Sequence, residues 1–233
     1  MLVLMPTCCL FTLLDPRLPI SSPMLRLRKP KPLKIVVLGQ TWVGKTCFID
    51  MFLEGKHFIN HSAVSPELKS RTISHAGDTW SLSFMDIDIY GSIAPFYYKV
   101  LNTYLTDADG IVLLYDITLD YSFSSLIDDY YLHAWTYRNL LFPNASQTNT
   151  PMTTKERFGC VLVGNKRDTI VGEDAAKRQV CTEMAEQWAA SQGMRHFEIS
   201  ANERAQVDDV VRALIDSILR ARRMNEKDKA QAV

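Results

Sequence analysis

The sequence predicts an α/β protein, a three-layer α/β/α sandwich built on a mostly parallel sheet. Three observations carry that expectation. Short apolar runs recur along the chain, helical patterns separate them, and the bulk composition is that of an ordinary soluble domain. Of 233 residues, 47% are hydrophobic and 22% charged, close to the averages for globular proteins. Strands buried on both faces read as near-continuous apolar runs. Strands alternating with helices imply parallel pairing with helices on both faces.

The elements follow in order. LKIVVLG (33–39) is a β-branched apolar run stopped by glycine and reads as a buried strand. From Lys45 to about Leu53 the pattern is helical. WSLSFMDI (80–87) alternates, with Trp80, Leu82 and Phe84 on one face. GIVLLYDI (110–117) and GCVLVGNK (159–166) are near-continuous, and HFEIS (196–200) is a fifth short run. Helices are expected at about 122–141, 174–191 and 206–224. In the last, Val207, Val210, Val211, Leu214, Ile215 and Ile218 recur at helical spacing. In such sheets ligands bind at the carboxyl ends of the strands.

Composition and termini exclude several classes. Lys+Arg and Asp+Glu both number 26, so the formal net charge is zero, and no basic excess points to nucleic acid. No run of about 18 apolar residues suggests a membrane span. The five cysteines, Cys8, Cys9, Cys47, Cys160 and Cys181, form neither a disulfide framework nor a zinc pattern. They suit a reducing, cytoplasmic compartment. Residues 1–32 are broken by Pro6, Pro16, Pro19, Pro23, Pro30 and Pro32, which oppose helix and central strand. They read as a flexible extension, or as a peripheral membrane anchor acylated at Cys8 and Cys9 with basic residues following. Residues 225–233 read as a polar tail without a prenylation cysteine.

Two motifs carry chemistry. Gly39-Gln-Thr41-Trp42-Val43-Gly44-Lys45-Thr46 fits GxxxxGK[ST], with a strand before and a helix after. Glycines let the backbone approach phosphates closely, and N–H groups backed by a helix N-terminus present positive charge to them. Lys45 adds a full charge between phosphates, and the Thr46 hydroxyl suits Mg2+. The second motif, Asn165-Lys166-Arg-Asp168, follows another strand. An aspartate there accepts two hydrogen bonds from guanine that adenine does not offer, and such mispairing costs on the order of 1–3 kcal/mol. The Lys166 stem covers the base, and Asn165 ties this loop to the phosphate loop. Ser200-Ala201-Asn202 follows the fifth run, where the Ala201 N–H can reach guanine O6.

These residues, with Asp88-Ile-Tyr-Gly91 as DxxG and Glu198-Ile-Ser-Ala201, resemble the Ras-like small GTPases over about residues 33–222. The resemblance implies a P-loop NTPase fold with a six-stranded sheet and about five helices, with residues 33–224 as the domain. It implies GTP/GDP and Mg2+ as cofactors. It also implies effector, exchange-factor and activating-protein partners. Asp88 would hold Mg2+ through water, and the Gly91 N–H would meet the γ-phosphate. Ser65 would take the Mg2+-binding position of the first switch. Phe58 would lie edge-on to the base, or else close the core behind the helix. Thr46-Cys47, within the nucleotide-binding turn, and Phe52 to Lys56 look like Rho and Rab relatives.

The departures concern hydrolysis. Where the family has a glutamine that orients the attacking water, this chain has Ser92, too short for the same reach. Thr41 stands where many relatives have glycine and would crowd an incoming arginine finger. Slow hydrolysis follows, with Lys45 and a weak Ser92 as the catalytic set. Three functions remain open: a GDP/GTP switch in signalling or trafficking, a hydrolysis-deficient GTP-bound scaffold, and an ATP-using P-loop kinase with no use for Asn165–Asp168. Residues 142–158 are rich in Asn, Thr, Ser and Pro and read as a loop insertion. It is expected on the carboxyl-end rim beside the nucleotide, as a mobile segment or a partner loop.

Overall fold

A computed structural model of the chain describes residues 29–56, 70–88, 95–141, 157–170 and 177–231. Six strands form one sheet in the order β2-β3-β1-β4-β5-β6. They are β1 (Lys31–Gly39), β2 (Ser70–His75), β3 (Asp78–Asp88), β4 (Gly110–Asp116), β5 (Gly159–Asn165) and β6 (Arg195–Glu198). All neighbours pair parallel except β2 with β3. The helices are α1 (Lys45–Glu54), α2 (Pro95–Asp107), α3 (Asp120–Ser125), α4 (Leu132–Leu141), α5 (Thr182–Ser191) and α6 (Arg204–Gln231). A π-helical stretch, Leu126–Tyr131, joins α3 to α4, so the helix expected at 122–141 is one continuous rod.

The sheet separates two apolar layers. On one face Val37, Val112, Leu114, Val161 and Val163 pack under α1 and α6. On the other Val36, Leu38, Leu113 and Leu162 pack under α2, the α3–α4 rod and α5. Every residue of β4 and β5 is buried, as expected of central parallel strands. Close contact between β5 and α6 depends on Gly159, where a Cβ would stand 2.6 Å from the Ile218 amide nitrogen.

Four expectations change. The antiparallel strand β2 has no apolar signature, because it is an edge strand of half-buried and exposed residues. Pro32 lies inside β1, yet at that level β1 pairs only with β3, and β4 joins from Ile35. A missing N–H therefore breaks no ladder on that side. The helix expected from 174 starts at Thr182, because the Gln179 and Val180 amides donate to Ile117 O across the sheet end. Helix α6 runs to Gln231, through the segment expected to be a tail, where Asn225 exchanges two hydrogen bonds with the Arg157 backbone.

Residues 142–156 lie outside the described residues, but their anchors are the end of α4 and the amino end of β5. A helix-to-strand connection returns to the amino edge of a parallel sheet. Those two anchors stand at the edge opposite the strand ends that carry the motifs; the expected place of the segment itself, beside the nucleotide, falls on residues outside the described ones.

Candidate functional site

Five strand ends build one edge. β1 and β3 finish level, with Gly39 paired to Asp88. β4 and β5 finish level, with Asp116 paired to Asn165, and Ser200 follows β6. A Cβ on Gly39 would stand 2.1 Å from Leu114 O, so only glycine lets the phosphate loop leave the sheet there.

The loop from Gln40 to Gly44 is held at three points. Val43 is fully buried, its carbonyl accepts from Asn165 Nδ2 at 2.8 Å, and Lys45 Nζ donates to Gln40 O at 2.9 Å. Thr41 is half-buried. Trp42 has a positive φ of 70° and is 82% exposed. Gly44 begins α1 at φ 99° with no side-chain cap. The first amides of α1 are thus left to other acceptors. Burial, then the charge of Asp50, pushes the Cys47 thiol up.

The second motif is organised by Asn165, which is 3% exposed. Its Nδ2 holds the phosphate loop, and its Oδ1 accepts the Ala201 N–H at 2.8 Å. The tie expected between the two loops is present. The Ala201 N–H, expected to meet guanine O6, serves this internal bond. Lys166 sits at φ 67° and places Nζ 2.7 Å from Asp116 Oδ2. Asp168 is exposed, on the 3-10 turn Arg167–Ile170. Ser200 is buried, and its hydroxyl accepts from the Asn202 amide at 3.3 Å.

Two residues were missed. Asp86 accepts the Thr46 hydroxyl at 2.5 Å, and Asp116 holds Lys166 while also accepting from the Thr118 amide and hydroxyl. The signals were present. Asp86 lies two residues before Asp88, and Asp116 ends a strand as Asn165 does. Asp88 is placed by its backbone at the tip of β3. Phe58, Ser65, Gly91 and Ser92 lie outside the described residues, so the switch positions are neither assembled nor displaced.

The gathering of phosphate loop, Asn165 and Ala201 on one edge agrees with the comparisons. A model of the Ras family matches residues 34–220. The chain is 30% identical to Ras-related protein Rab-13 of Mesocricetus auratus, covering 80% of this chain and 79% of that protein. Identity to Ras-related protein Rab7 of Cenchrus ciliaris is 25%, covering 83% and 85%. Identity to DnaJ homolog subfamily C member 27 of Danio rerio is 24%, covering 82% and 63%. The chain belongs to the Ras family of small GTPases.

Proposed function

We propose that this family member works as a GDP/GTP switch that hydrolyses GTP slowly. One observation supports the nucleotide reading above others: a single buried amide, Asn165, joins the phosphate loop to the base-side loop through 2.8 Å bonds in both directions. The donors fit the family's ligands. At Gly44 a Cβ would stand 2.3 Å from Asn165 Nδ2, so the start of α1 presents bare backbone, as a phosphate requires. Thr46 and Asp86 offer hard oxygens of the kind Mg2+ prefers. Gly39 to Cys47 with Lys45 would hold the phosphates. Lys166, Asp168 and Ser200 to Asn202 would frame the base. Thr46, with Ser65 and Asp88, would hold the metal. When bound, Mg2+ supplies charge neutralisation along the phosphates. The protein's own part is to fix the phosphate chain by backbone amides and Lys45 and to read the base by Asp168.

Slow turnover rests on Ser92 and Thr41. Partners of three kinds follow from the reading: an effector that selects the GTP form, an exchange factor and an activating protein. Membrane association would run through acylation of Cys8 and Cys9, with the basic residues that follow drawn to anionic lipid. Among the described residues no helix is long and apolar enough to cross a membrane.

Competition against a fluorescent GDP tests the base reading. GTP and GDP should displace the probe at concentrations at least ~100-fold below ATP, given two mispaired hydrogen bonds. Asp168→Asn should shift preference towards xanthine nucleotides. Displacement by ATP at the same concentration as GDP would discard guanine recognition in favour of an ATP-using enzyme.

A further inference from the structure

The Thr46 hydroxyl, expected to bind the metal, donates to Asp86, a carboxylate that lies outside the DxxG motif. Asp86 lies on β3 two residues before Asp88. Asp88 pairs with Gly39 at the tip, whereas Asp86 pairs with Val37, one pleat deeper. Trp80, Leu82 and Phe84, at alternate positions before Asp86, are buried against α1 and its neighbours. Asp86 continues the row where apolar packing gives way to the opening of α1, and its Oδ2 accepts the Thr46 hydroxyl at 2.5 Å. That distance is at the short end of the range for hydroxyl hydrogen bonds.

A threonine hydroxyl has one proton and two lone pairs. Giving the proton to Asp86 turns the lone pairs away from that carboxylate and leaves them for a cation. The carboxylate also makes the hydroxyl oxygen a better donor, and adds a negative charge near any metal held there. We infer that Asp86 is a positioning residue for the divalent cation, orienting Thr46 and raising the affinity of the nucleotide site for Mg2+. This rests on the nucleotide reading above and adds a residue to it. The consequence is a site more dependent on the metal: without the cation, Asp86 repels the phosphates; with it, Asp86 helps retain them.

The test is release of a fluorescent GDP from the full-length chain, followed across free Mg2+ concentrations. The readout is the concentration that half-maximally slows release, which requires no hydrolysis. Outer-shell partners typically affect metal affinity about 10–100-fold, so Asp86→Ala should raise that midpoint by this order. Asp86→Asn keeps an acceptor and the shape but loses the charge, and should fall between. Thr46→Ala should raise the midpoint too. Because Asp86 acts through Thr46, Asp86→Ala added to Thr46→Ala should shift it less than about twofold further. In EDTA, Asp86→Asn should release GDP more slowly than the parent. Unchanged midpoints in both Asp86 variants, with a lowered melting temperature, would make the bond a mere tie between β3 and α1 and overturn the inference. Fully additive shifts would overturn the route through Thr46. If the parent chain fails to bind GDP even in excess Mg2+, the nucleotide reading itself falls, and the inference with it.

Discussion

Replacing Asn165 with alanine should loosen two loops at once. The side chain donates to Val43 O and accepts from the Ala201 N–H, each at 2.8 Å, while 3% exposed. Two lost hydrogen bonds cost about 0.5–1.5 kcal/mol each, and an amide left buried and unpaired costs about 1–3 kcal/mol in full desolvation. These overlap, so a net loss of about 2–4 kcal/mol is expected. For a domain of this size that lowers the melting temperature by roughly 5–15 °C. Thermal unfolding followed by circular dichroism measures it. Asn165→Asp separates the halves: it keeps the acceptor for Ala201 but turns a carboxylate oxygen towards the Val43 carbonyl. It should therefore release labelled GDP faster, as Asn165→Ala does, and destabilise at least as much, because a buried carboxylate then faces a carbonyl oxygen. If both variants melt and release GDP like the parent, Asn165 does not couple the loops, and the assembly of the site needs another explanation.

Gly44→Ala should damage the same junction from the other side, since its Cβ would fall 2.3 Å from Asn165 Nδ2 at a φ of +99°; weaker GDP binding in a calorimetric titration is the expected result. Trp42→Gly should not destabilise the fold, because the indole is 82% exposed and φ is 70°. Relief of about 1–2 kcal/mol of left-handed strain offsets about 0.5–1 kcal/mol of added backbone entropy; urea unfolding reads the sign. Stability should fall as the pH drops through 6.5, the ordinary imidazole value, because burial holds His133 and His196 below it and the unfolded chain then binds more protons. A second loss should begin below 4.5. Burial alone would raise the Glu198 carboxyl, but hydrogen bonds from Arg178 and Thr182 hold it down; Arg178→Ala should remove most of that second step in melts taken between pH 3 and 5. Ser92→Gln should speed single-turnover phosphate release about tenfold or more if a water-orienting group is all that is missing.

What could be read from the sequence divides along physical lines. β4 and β5 were legible because full burial on both faces demands an unbroken apolar run. The strand, turn and helix around Gly39–Thr46 were legible because glycine positions and a following helix are local requirements. β2 was not, since an edge strand with half-exposed residues has no such demand on its composition. The start of α5 was misread because two amides that could have extended the helix are bound by Ile117 O, a partner distant in sequence. Asp116 and Asp86 were passed over because an acidic residue at a strand end is common, and only the third dimension shows Lys166 or Thr46 against it.

The two non-glycine residues that bracket the Asn165 bridge are themselves strained. Trp42 precedes Val43 at φ 70°, and Lys166 follows Asn165 at φ 67°. Left-handed geometry costs about 1–2 kcal/mol for each such residue, and neither local sequence favours it. The conformation is imposed from below. Val43 is packed into the layer under α1 and α6, and Asn165 ends a strand with no exposed residue. Neither can move without opening the core. The amide bonds between them then fix the peptides on either side, strain included. Lys166 gains its salt bridge to Asp116 at 2.7 Å in that conformation, while Trp42 gains no burial. Strain of this kind persists only where surrounding structure over-determines it. The preorganised edge is therefore a property of the sheet's core, and core substitutions at Val43 or along β5 should affect nucleotide binding as much as changes to the loops themselves.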